Sequence, residues 1–250
     1  MCTMTWFKTE QGYELFFNRD EQLSRQRALL PTFQSEKEVA YVSPTDADAG
    51  GTWIALNQFG VTVCLLNHYQ FQQIETYKDW TSRGEIVRSF ATISSTIEAK
   101  RQFGILNLDM YRAFRLFIIE RSGKNALFIW DGHKARIEYN VKAPKSSSSV
   151  NAKSVKAGRI KQFYDAGLDK STNVSDYLQY HSSHNPDKSE RSVCMHRADA
   201  QTVSFTHVSV DKHQANLAYL DGSPCEGKLA PPLSLDLVDS SELELVSIAR

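Results

Sequence analysis

The sequence predicts an α+β fold in which two stacked sheets lie between layers of helices. Strand-like and helix-like segments follow one another in blocks, in the order strands, helices, strands, helices, strands. Several strand-like segments are apolar with little alternation, which is typical of strands covered on both faces. A chain of 250 residues can bury a large core, so two stacked sheets with helices outside them form the most economical arrangement.

The chain begins with a predicted hairpin. Residues 1–8 and 13–17 are apolar and rich in β-prone side chains, and residues 10–12 between them are typical of a turn. This hairpin carries the run Asn18-Arg19-Asp20-Glu21 back towards the first strand. We expect residues 18–31 to be irregular.

Later segments are assigned by their period and by helix-start signals. Ser82 with Glu85, and Ser95 with Glu98, are typical of helix N-termini. Further helices are predicted near residues 155–168 and 174–181, and a flexible serine-rich loop near residues 144–154. Further strands are predicted at residues 52–57, 61–66, 111–138, 191–196, 202–210 and 216–220.

Composition excludes several classes of function. Lys+Arg and Asp+Glu are equal at 29 each, and no basic cluster is present, so we expect no nucleic-acid partner. No apolar run is long enough to span a bilayer and no secretion signal is visible, so a cytoplasmic location is expected. The four cysteines form no C-x-x-C pair, which indicates free thiols. No glycine-rich phosphate-binding motif occurs, so no nucleotide cofactor is expected.

Cys2 is the residue of the sequence that most specifically indicates chemistry, as a candidate nucleophile. Methionine before a small residue is normally removable, and its removal would make Cys2 the first residue. A terminal cysteine carries a nucleophilic thiol and an α-amine that can accept the thiol proton near neutral pH. Arg19 is a candidate for polarising the thiol, Asp20 for holding the arginine or the amine, and Asn57 and Asn67 for oxyanion donors. The alternative is that Cys2 is a buried strand residue and that Arg19 and Asp20 form a structural ion pair.

A metal site is considered and not expected. His181 and His184 lie one helical turn apart, a spacing that suits a metal, but the sequence shows no third ligand beside them. A solvated helix end is the simpler interpretation, and no structural metal is predicted.

Seven short motifs occur in order along the chain. They are Met1-Cys2-Thr3, Gly12 through Asn18-Arg19-Asp20-Glu21, Gly50-Gly51-Thr52-Trp53, Leu66-Asn67, Ser82-Arg83-Gly84-Glu85, Ser192-Val193-Cys194-Met195-His196 and Gly222-Ser223-Pro224-Cys225. This ordered set resembles the NRDE family, which includes the transport and Golgi organization 2 proteins. The match runs from the first residue to about the last strand, so it predicts a single domain over residues 1–250.

The resemblance implies an N-terminal-nucleophile-hydrolase-like fold, a four-layer αββα sandwich with two mainly antiparallel sheets. The start of the chain is also similar to choloylglycine hydrolases and related cysteine amidases, in which a second-codon cysteine attacks an amide. The matching catalytic positions are Cys2, Arg19, Asp20 and Asn67. In the hydrolase pattern the arginine and the aspartate are further apart than Arg19 and Asp20.

The resemblance also implies haem as a cargo, with haem donor or acceptor proteins as partners. A carrier needs an apolar or aromatic cleft, cations for the propionates and weak axial ligation. The candidate ligands are His68, His207, Cys194 and His196, with Cys2 as a further thiolate. On a strand, Cys194 and His196 would share one face, and the alternative is that both are core or edge residues.

The leading expectation is therefore a haem-binding protein of intracellular haem trafficking rather than an enzyme. The first alternative is an N-terminal-cysteine amidohydrolase or acyltransferase that uses Cys2. The second is a non-catalytic interaction protein on the same scaffold.

Overall fold

A computed structural model describes residues 1–69 and 79–239, and these contain thirteen strands and four α-helices. The strands are β1 Cys2–Lys8, β2 Tyr13–Gln22, β3 Leu29–Glu36, β4 Val39–Thr45, β5 Ile54–Asn57, β6 Thr62–Asn67, β7 Phe114–Ile119, β8 Asn125–Trp130, β9 Ala135–Tyr139, β10 Lys145–Ser147, β11 Ala200–Val210, β12 Gln214–Leu220 and β13 Leu233–Asp236. The helices are α1 Arg83–Ser89, α2 Thr96–Ile105, α3 Ala152–Asp165 and α4 Val174–Ser182, with a 3-10 helix at Leu108–Met110.

The strands form two sheets, and every pairing within them is antiparallel. The six-stranded sheet has the order β10-β1-β2-β11-β12-β13, and it contains both ends of the described chain. The seven-stranded sheet runs from β3 to β9, with each strand beside the next in sequence. The prediction of two antiparallel sheets is therefore confirmed.

Three apolar clusters separate four layers. One cluster lies between the sheets and includes Met4, Phe17, Leu66 and Phe117. A second joins the seven-stranded sheet to α1 and α2, and a third joins the six-stranded sheet to α3 and α4. This is the expected αββα sandwich, and its layers are held mainly by burial of apolar surface. In the part of the chain that the structure describes, no helix is long and apolar enough to cross a bilayer.

Three local expectations are wrong. The irregular segment was expected from residue 18, but β2 continues through the motif to Gln22 because it pairs with β1 and β11. The serine-rich segment is not a flexible loop: Lys145–Ser147 forms the edge strand β10 beside β1, where short serine side chains allow α3 to pack closely. Residues 191–196 do not form a strand. They are turns and bends, with one isolated bridge from His196 to Gln201.

A buried polar cluster connects α4 to the first hairpin. His181, at the end of α4, is fully buried, with its Nε2 2.8 Å from Thr5 Oγ1 and its Nδ1 2.8 Å from Asn18 Oδ1. The Asn18 amide donates to the carbonyls of His181 and Val193, at 2.9 and 3.0 Å. Burial, followed by the charges of Arg159 and His207, lowers the pKa of His181 to about 3. The imidazole is therefore neutral at physiological pH.

We expect this buried histidine to make stability depend on pH. Between the ordinary pKa of 6.5 and about 3, the unfolded chain binds a proton at residue 181 that the folded chain does not. Stability is therefore fully present above pH 6.5 and is lost as pH falls, with a slope of at most about 1.4 kcal/mol per pH unit. Urea unfolding of wild type and His181→Gln between pH 7 and pH 4.5 measures this slope, which should be shallower in the variant.

The exposed His213 provides the matched control. His213→Gln should keep the wild-type slope, because His213 is exposed and lies outside the buried cluster of His181. Equal slopes in wild type and His181→Gln would contradict the prediction, whatever the absolute stability of the variant.

Candidate functional site at the N-terminal cysteine

The motif Asn18-Arg19-Asp20-Glu21 lies on β2 and points its side chains alternately to two layers. Successive residues of a strand face opposite sides of the sheet. Asn18 and Asp20 face the helical layer, where they contact His181 and Arg159, whereas Arg19 and Glu21 face a cleft beside the inner core. Two neighbouring residues of the motif therefore serve different sites.

Cys2 lies on β1 directly opposite Arg19 in the antiparallel register. Its side chain is partly buried and packs against the inter-sheet core, on the same side as Arg19. Its backbone N–H donates to Ser147 Oγ at 3.1 Å. Burial raises the pKa of the Cys2 thiol to about 11, although the N-terminal and Arg19 charges act in the opposite direction. With Met1 in place, this cysteine is therefore a protonated thiol at neutral pH.

The α-amine of Met1 is fixed where β1 begins. It donates to the Asp20 carbonyl at 2.7 Å, and the Asp20 N–H donates back to the Met1 carbonyl at 2.8 Å. Burial acts to lower the pKa of this amine, but the charges of Tyr69, Cys2 and Asp20 outweigh it and raise the pKa to about 10. Met1 thus extends the β1–β2 ladder by one residue, with its side chain buried against Met195.

Arg19 is held by an acidic loop and an aromatic ring. Its Nη2 lies 2.6 Å from Asp46 Oδ2 and 3.6 Å from Glu21 Oε2, and its guanidinium carbon lies 4.0 Å from the centre of the Trp53 ring. Arg25 binds the other oxygen of Asp46, also at 2.6 Å. Arg19 is therefore rigidly oriented at the cleft wall beside Cys2. Of the two partners expected for Asp20, the arginine or the amine, the structure shows the amine, whose hydrogen bond the Asp20 backbone carbonyl accepts, whereas the acids beside Arg19 are Asp46 and Glu21.

Asp20 instead belongs to a buried cluster behind the sheet. Its two carboxylate oxygens lie 2.7 Å from Thr202 Oγ1 and 3.4 Å from Arg159 Nη1, and the same Nη1 donates to Thr3 Oγ1 at 2.6 Å. Both charged side chains are fully buried. A buried ion pair persists only with such additional hydrogen bonds, so this cluster strongly fixes the ends of β1 and β2.

Arg159 is a site-supporting residue that the sequence reasoning missed. It lies on α3 between Val155 and Phe163, each four positions away and each buried. This i, i+4 spacing places Arg159 on the apolar stripe of the helix. A charged residue in such a stripe is a detectable signal for a buried ion pair.

The cleft in front of Cys2 has a volume of about 680 Å³ and mixed chemistry. Cys2 and Asn67 lie at its base, and Asn67 Nδ2 donates to the Tyr69 hydroxyl at 2.8 Å. Asn57, the other amide candidate, is buried elsewhere and donates to the carbonyls of Ala91 and Ile93. The cleft is also lined by four arginines and three aromatic residues, Arg19, Arg25, Arg83, Arg112, Trp53, Tyr69 and Trp80, and by the acids Glu21, Asp46 and Asp79.

Two of these arginines have no carboxylate within salt-bridge distance among the described residues. Arg83 donates to the Ala113 carbonyl at 3.1 Å, and Arg112 lies 6.0 Å from the centre of the Trp80 ring. Burial lowers the pKa of Arg83, the Tyr69 charge opposes that effect, and the neighbouring charge of Arg112 adds to it. An anionic ligand at this end of the cleft would relieve that electrostatic cost.

Two glycine-containing motifs, residues 50–53 and 82–85, contact each other at the cleft wall that includes Trp53. A Cβ on Gly51 would lie 2.6 Å from backbone of Gly84, and the Thr52 N–H donates to the Gly84 carbonyl at 3.2 Å. The two motifs therefore need glycine because their backbones touch. This contact places the start of α1, with Arg83, at the edge of the cleft.

The four haem-ligand candidates do not converge on one site. His68 is buried with a pKa lowered to about 4 by burial and then by Arg115, and His207 Nε2 lies 2.7 Å from Glu14 Oε2 on the helical side. Cys194 Sγ and His196 Nε2 lie 3.5 Å apart, but in an irregular segment rather than on one face of a strand. Among the described residues that line the cleft there is no histidine, and Cys2 is the one cysteine.

Three solved structures have a similar fold at low sequence identity. They are a mutant of the conjugated bile acid hydrolase from Clostridium perfringens (11% identity, 92% of this chain and 96% of that chain, TM-score 0.51), penicillin V acylase from Agrobacterium tumefaciens (12%, 95% and 99%, 0.52) and a Caenorhabditis elegans orthologue of N-acylethanolamine-hydrolyzing acid amidase (11%, 83% and 92%, 0.60). At this identity the likeness establishes the fold alone, which is that of the N-terminal-nucleophile hydrolases.

Family membership comes from the sequence. No curated protein matches the chain. The model of the family Transport and Golgi organisation 2 matches residues 1–173, which is more than two thirds of the chain and includes Cys2, the Asn18–Glu21 motif and the cleft. The protein therefore belongs to the Transport and Golgi organisation 2 family and has the fold of an N-terminal-nucleophile hydrolase.

Proposed function

We propose that the cleft is an acyl-transfer site in which Cys2, made the first residue by removal of Met1, is the nucleophile. The observation that carries this proposal is the position of Cys2 at the cleft, directly across the β ladder from the immobilised Arg19. The similar bile acid hydrolase is a C2A mutant, so that hydrolase also has a cysteine at its second position. Haem trafficking was the leading expectation, but the dispersed ligand candidates favour the thiol chemistry.

Removal of Met1 supplies the general base. In the full-length chain the Cys2 nitrogen is a peptide N–H that donates to Ser147 Oγ, so it has no basic lone pair. After removal it is an α-amine, whose ordinary pKa is about 7.7–8.0. This amine takes the thiol proton, and the thiolate then attacks a substrate carbonyl carbon.

The reaction proceeds through a covalent thioester. The tetrahedral intermediate collapses as the amine returns the proton to the leaving group, which departs and leaves the acyl group on Cys2. Water, deprotonated by the same amine, then hydrolyses the thioester and regenerates the thiol. We assign to Asn67, which lines the cleft with Cys2, a hydrogen bond to the developing oxyanion, and to Arg19 the stabilisation of the thiolate through its charge.

The substrate class follows from the cleft. Arg83 and Arg112 favour a negatively charged group, and Trp80 adds an aromatic surface. We therefore propose an amide, ester or thioester that joins an acyl group to an anionic moiety.

We expect a processed N-terminus that an activated anionic ester acylates once per chain. Intact-mass and peptide mass spectrometry should find Met1 absent and the acyl group on Cys2. Cys2→Ala should abolish labelling, whereas Cys64→Ala should retain it, because Cys64 is fully buried in the core and does not line the cleft. Arg83→Met should lower the labelling rate about tenfold or more for an anionic ester, since a charge-assisted hydrogen bond contributes ~1.5–3 kcal/mol.

The labelling rate with a neutral ester should change little in Arg83→Met. A retained Met1 in the purified protein, or equal labelling of wild type and Cys2→Ala, would overturn the proposed mechanism.

Haem carriage is the second candidate, and we propose that the cargo would occupy the same cleft. The observation that favours it is the pairing of aromatic walls with Arg83 and Arg112, which suit a flat dianionic ligand. The cleft volume of about 680 Å³ is typical of a small-molecule site. Cys2 is the candidate axial ligand at this position, as a thiolate.

A haemin titration tests this candidate. We expect a saturable Soret shift that Cys2→Ala alters and that Arg83→Met with Arg112→Met weakens. Cys194→Ala and His196→Ala should leave the spectrum unchanged, because neither residue lines the cleft. Arg136→Met, at an exposed arginine of β9, is the charge-matched control. No saturable binding at micromolar haemin would exclude haem as the cargo.

A further inference from the structure

Four side chains that the proposed function does not use meet behind the six-stranded sheet. The ligand atoms of His184, Cys194, His196 and Cys225 all lie within 4.8 Å of one another. His196 Nε2 lies 3.5 Å from Cys194 Sγ and 3.4 Å from Cys225 Sγ. His181, which lies close to His184 in the sequence, does not belong to this cluster, because its ring nitrogens face Thr5 and Asn18.

These separations fit a tetrahedral metal ion. Zinc binds thiolate sulfur at ≈ 2.3 Å and imidazole nitrogen at ≈ 2.0–2.1 Å, so neighbouring ligand atoms around it lie roughly 3.3–3.8 Å apart. The two distances from His196 Nε2 fall within this range. The remaining pairs lie within 4.8 Å, so they need closures of at most about 1.5 Å, which rotation of the side chains provides.

The orientation of His184 and His196 is also compatible with both rings binding one metal ion. Their ring centroids are 5.0 Å apart with an interplanar angle of 71°, so they do not stack. His184 Nε2 is buried and has no hydrogen-bond partner among the described residues. A buried, unsatisfied ring nitrogen carries a desolvation cost that a bound metal ion removes.

We propose that His184, Cys194, His196 and Cys225 bind one zinc ion as a structural site. A set of two soft sulfurs and two imidazoles selects zinc over hard cations such as magnesium and calcium. On binding, the two cysteine thiols release their protons to solvent and coordinate as thiolates, while the neutral histidines coordinate through ring nitrogens. No redox step is involved.

The zinc site would link the irregular segment 183–196 to the loop that follows β12. Three ligands come from the segment, and Cys225 comes from the loop. The same segment supplies the Glu190 carbonyl to Arg159 and the Val193 carbonyl to Asn18. Zinc would therefore stabilise the segment that accepts hydrogen bonds from Arg159 and Asn18, although no zinc ligand lines the cleft.

Metal analysis of the purified full-length chain tests the proposal. We expect one zinc per chain by elemental analysis, removal by a chelator, and restored thermal stability when zinc is added back. Cobalt(II) in place of zinc should give the visible absorption of a tetrahedral site with thiolate ligands. Cys225→Ala and His184→Ala should each reduce the zinc content and lower zinc affinity at least tenfold.

Cys64→Ala and His213→Ala are the matched controls, because one is a cysteine and the other a histidine outside the cluster. Both should keep one zinc per chain. Zinc-free wild type that neither binds cobalt nor gains thermal stability with zinc would overturn the site. A disulfide between Cys194 and Cys225, mapped in protein purified under reducing conditions, would overturn it too. Because these two outcomes concern wild type, the test survives any variant that fails to fold.

Discussion

The pairing of β1 with β2 is the interaction on which the rest of the structure depends. Its register sets Cys2 opposite Arg19 and Met1 opposite Asp20. A shift by one residue would turn every side chain of one strand to the opposite layer. Arg19 would then lie among the helices and Asp20 in the cleft. The register is specified because the two faces differ. One is the apolar inter-sheet core, and the other carries a buried polar layer of Thr3, Thr5, Asn18 and Asp20 beside the apolar cluster that joins the sheet to α3 and α4.

The buried polar layer restricts the strand pair more than an apolar surface would. Removing one partner of a buried ion pair such as Asp20 and Arg159 typically costs ~3–5 kcal/mol, because the remaining charge has no solvent. Apolar side chains tolerate small displacements, whereas this pair and its hydrogen bonds from Thr202 and to Thr3 accept few geometries. The position of Cys2 at the cleft is therefore determined by the buried Asp20–Arg159 pair on the helical face of the sheet as well as by the residues of the cleft.

The chemical state of Cys2 depends on whether Met1 precedes it. While Met1 is present, burial keeps Cys2 protonated and its nitrogen is an ordinary peptide donor. In the proposed mechanism, loss of Met1 would remove its ladder bonds and its buried side chain, and would create a base beside the thiol. The same strand end would then be unreactive with Met1 and reactive without it.

The sequence by itself determined the α+β class and the first hairpin, and it singled out Cys2 and Arg19 as candidate site residues. These depend on local pattern: strand period, helix-start residues and an ordered set of motifs. It did not determine that Asp20 leaves the cleft, that a serine-rich segment pairs as a strand, or that His184 meets Cys194, His196 and Cys225. A strand predicted through residue 22 would have placed Arg19 and Asp20 on opposite faces of the sheet, because side chains alternate along a strand. The other outcomes depend on contacts between residues far apart in the chain, such as Ser147 with Cys2 and Cys225 with His196. Only tertiary packing decides those contacts, because spacing along a sequence carries no information about which loops meet behind a sheet.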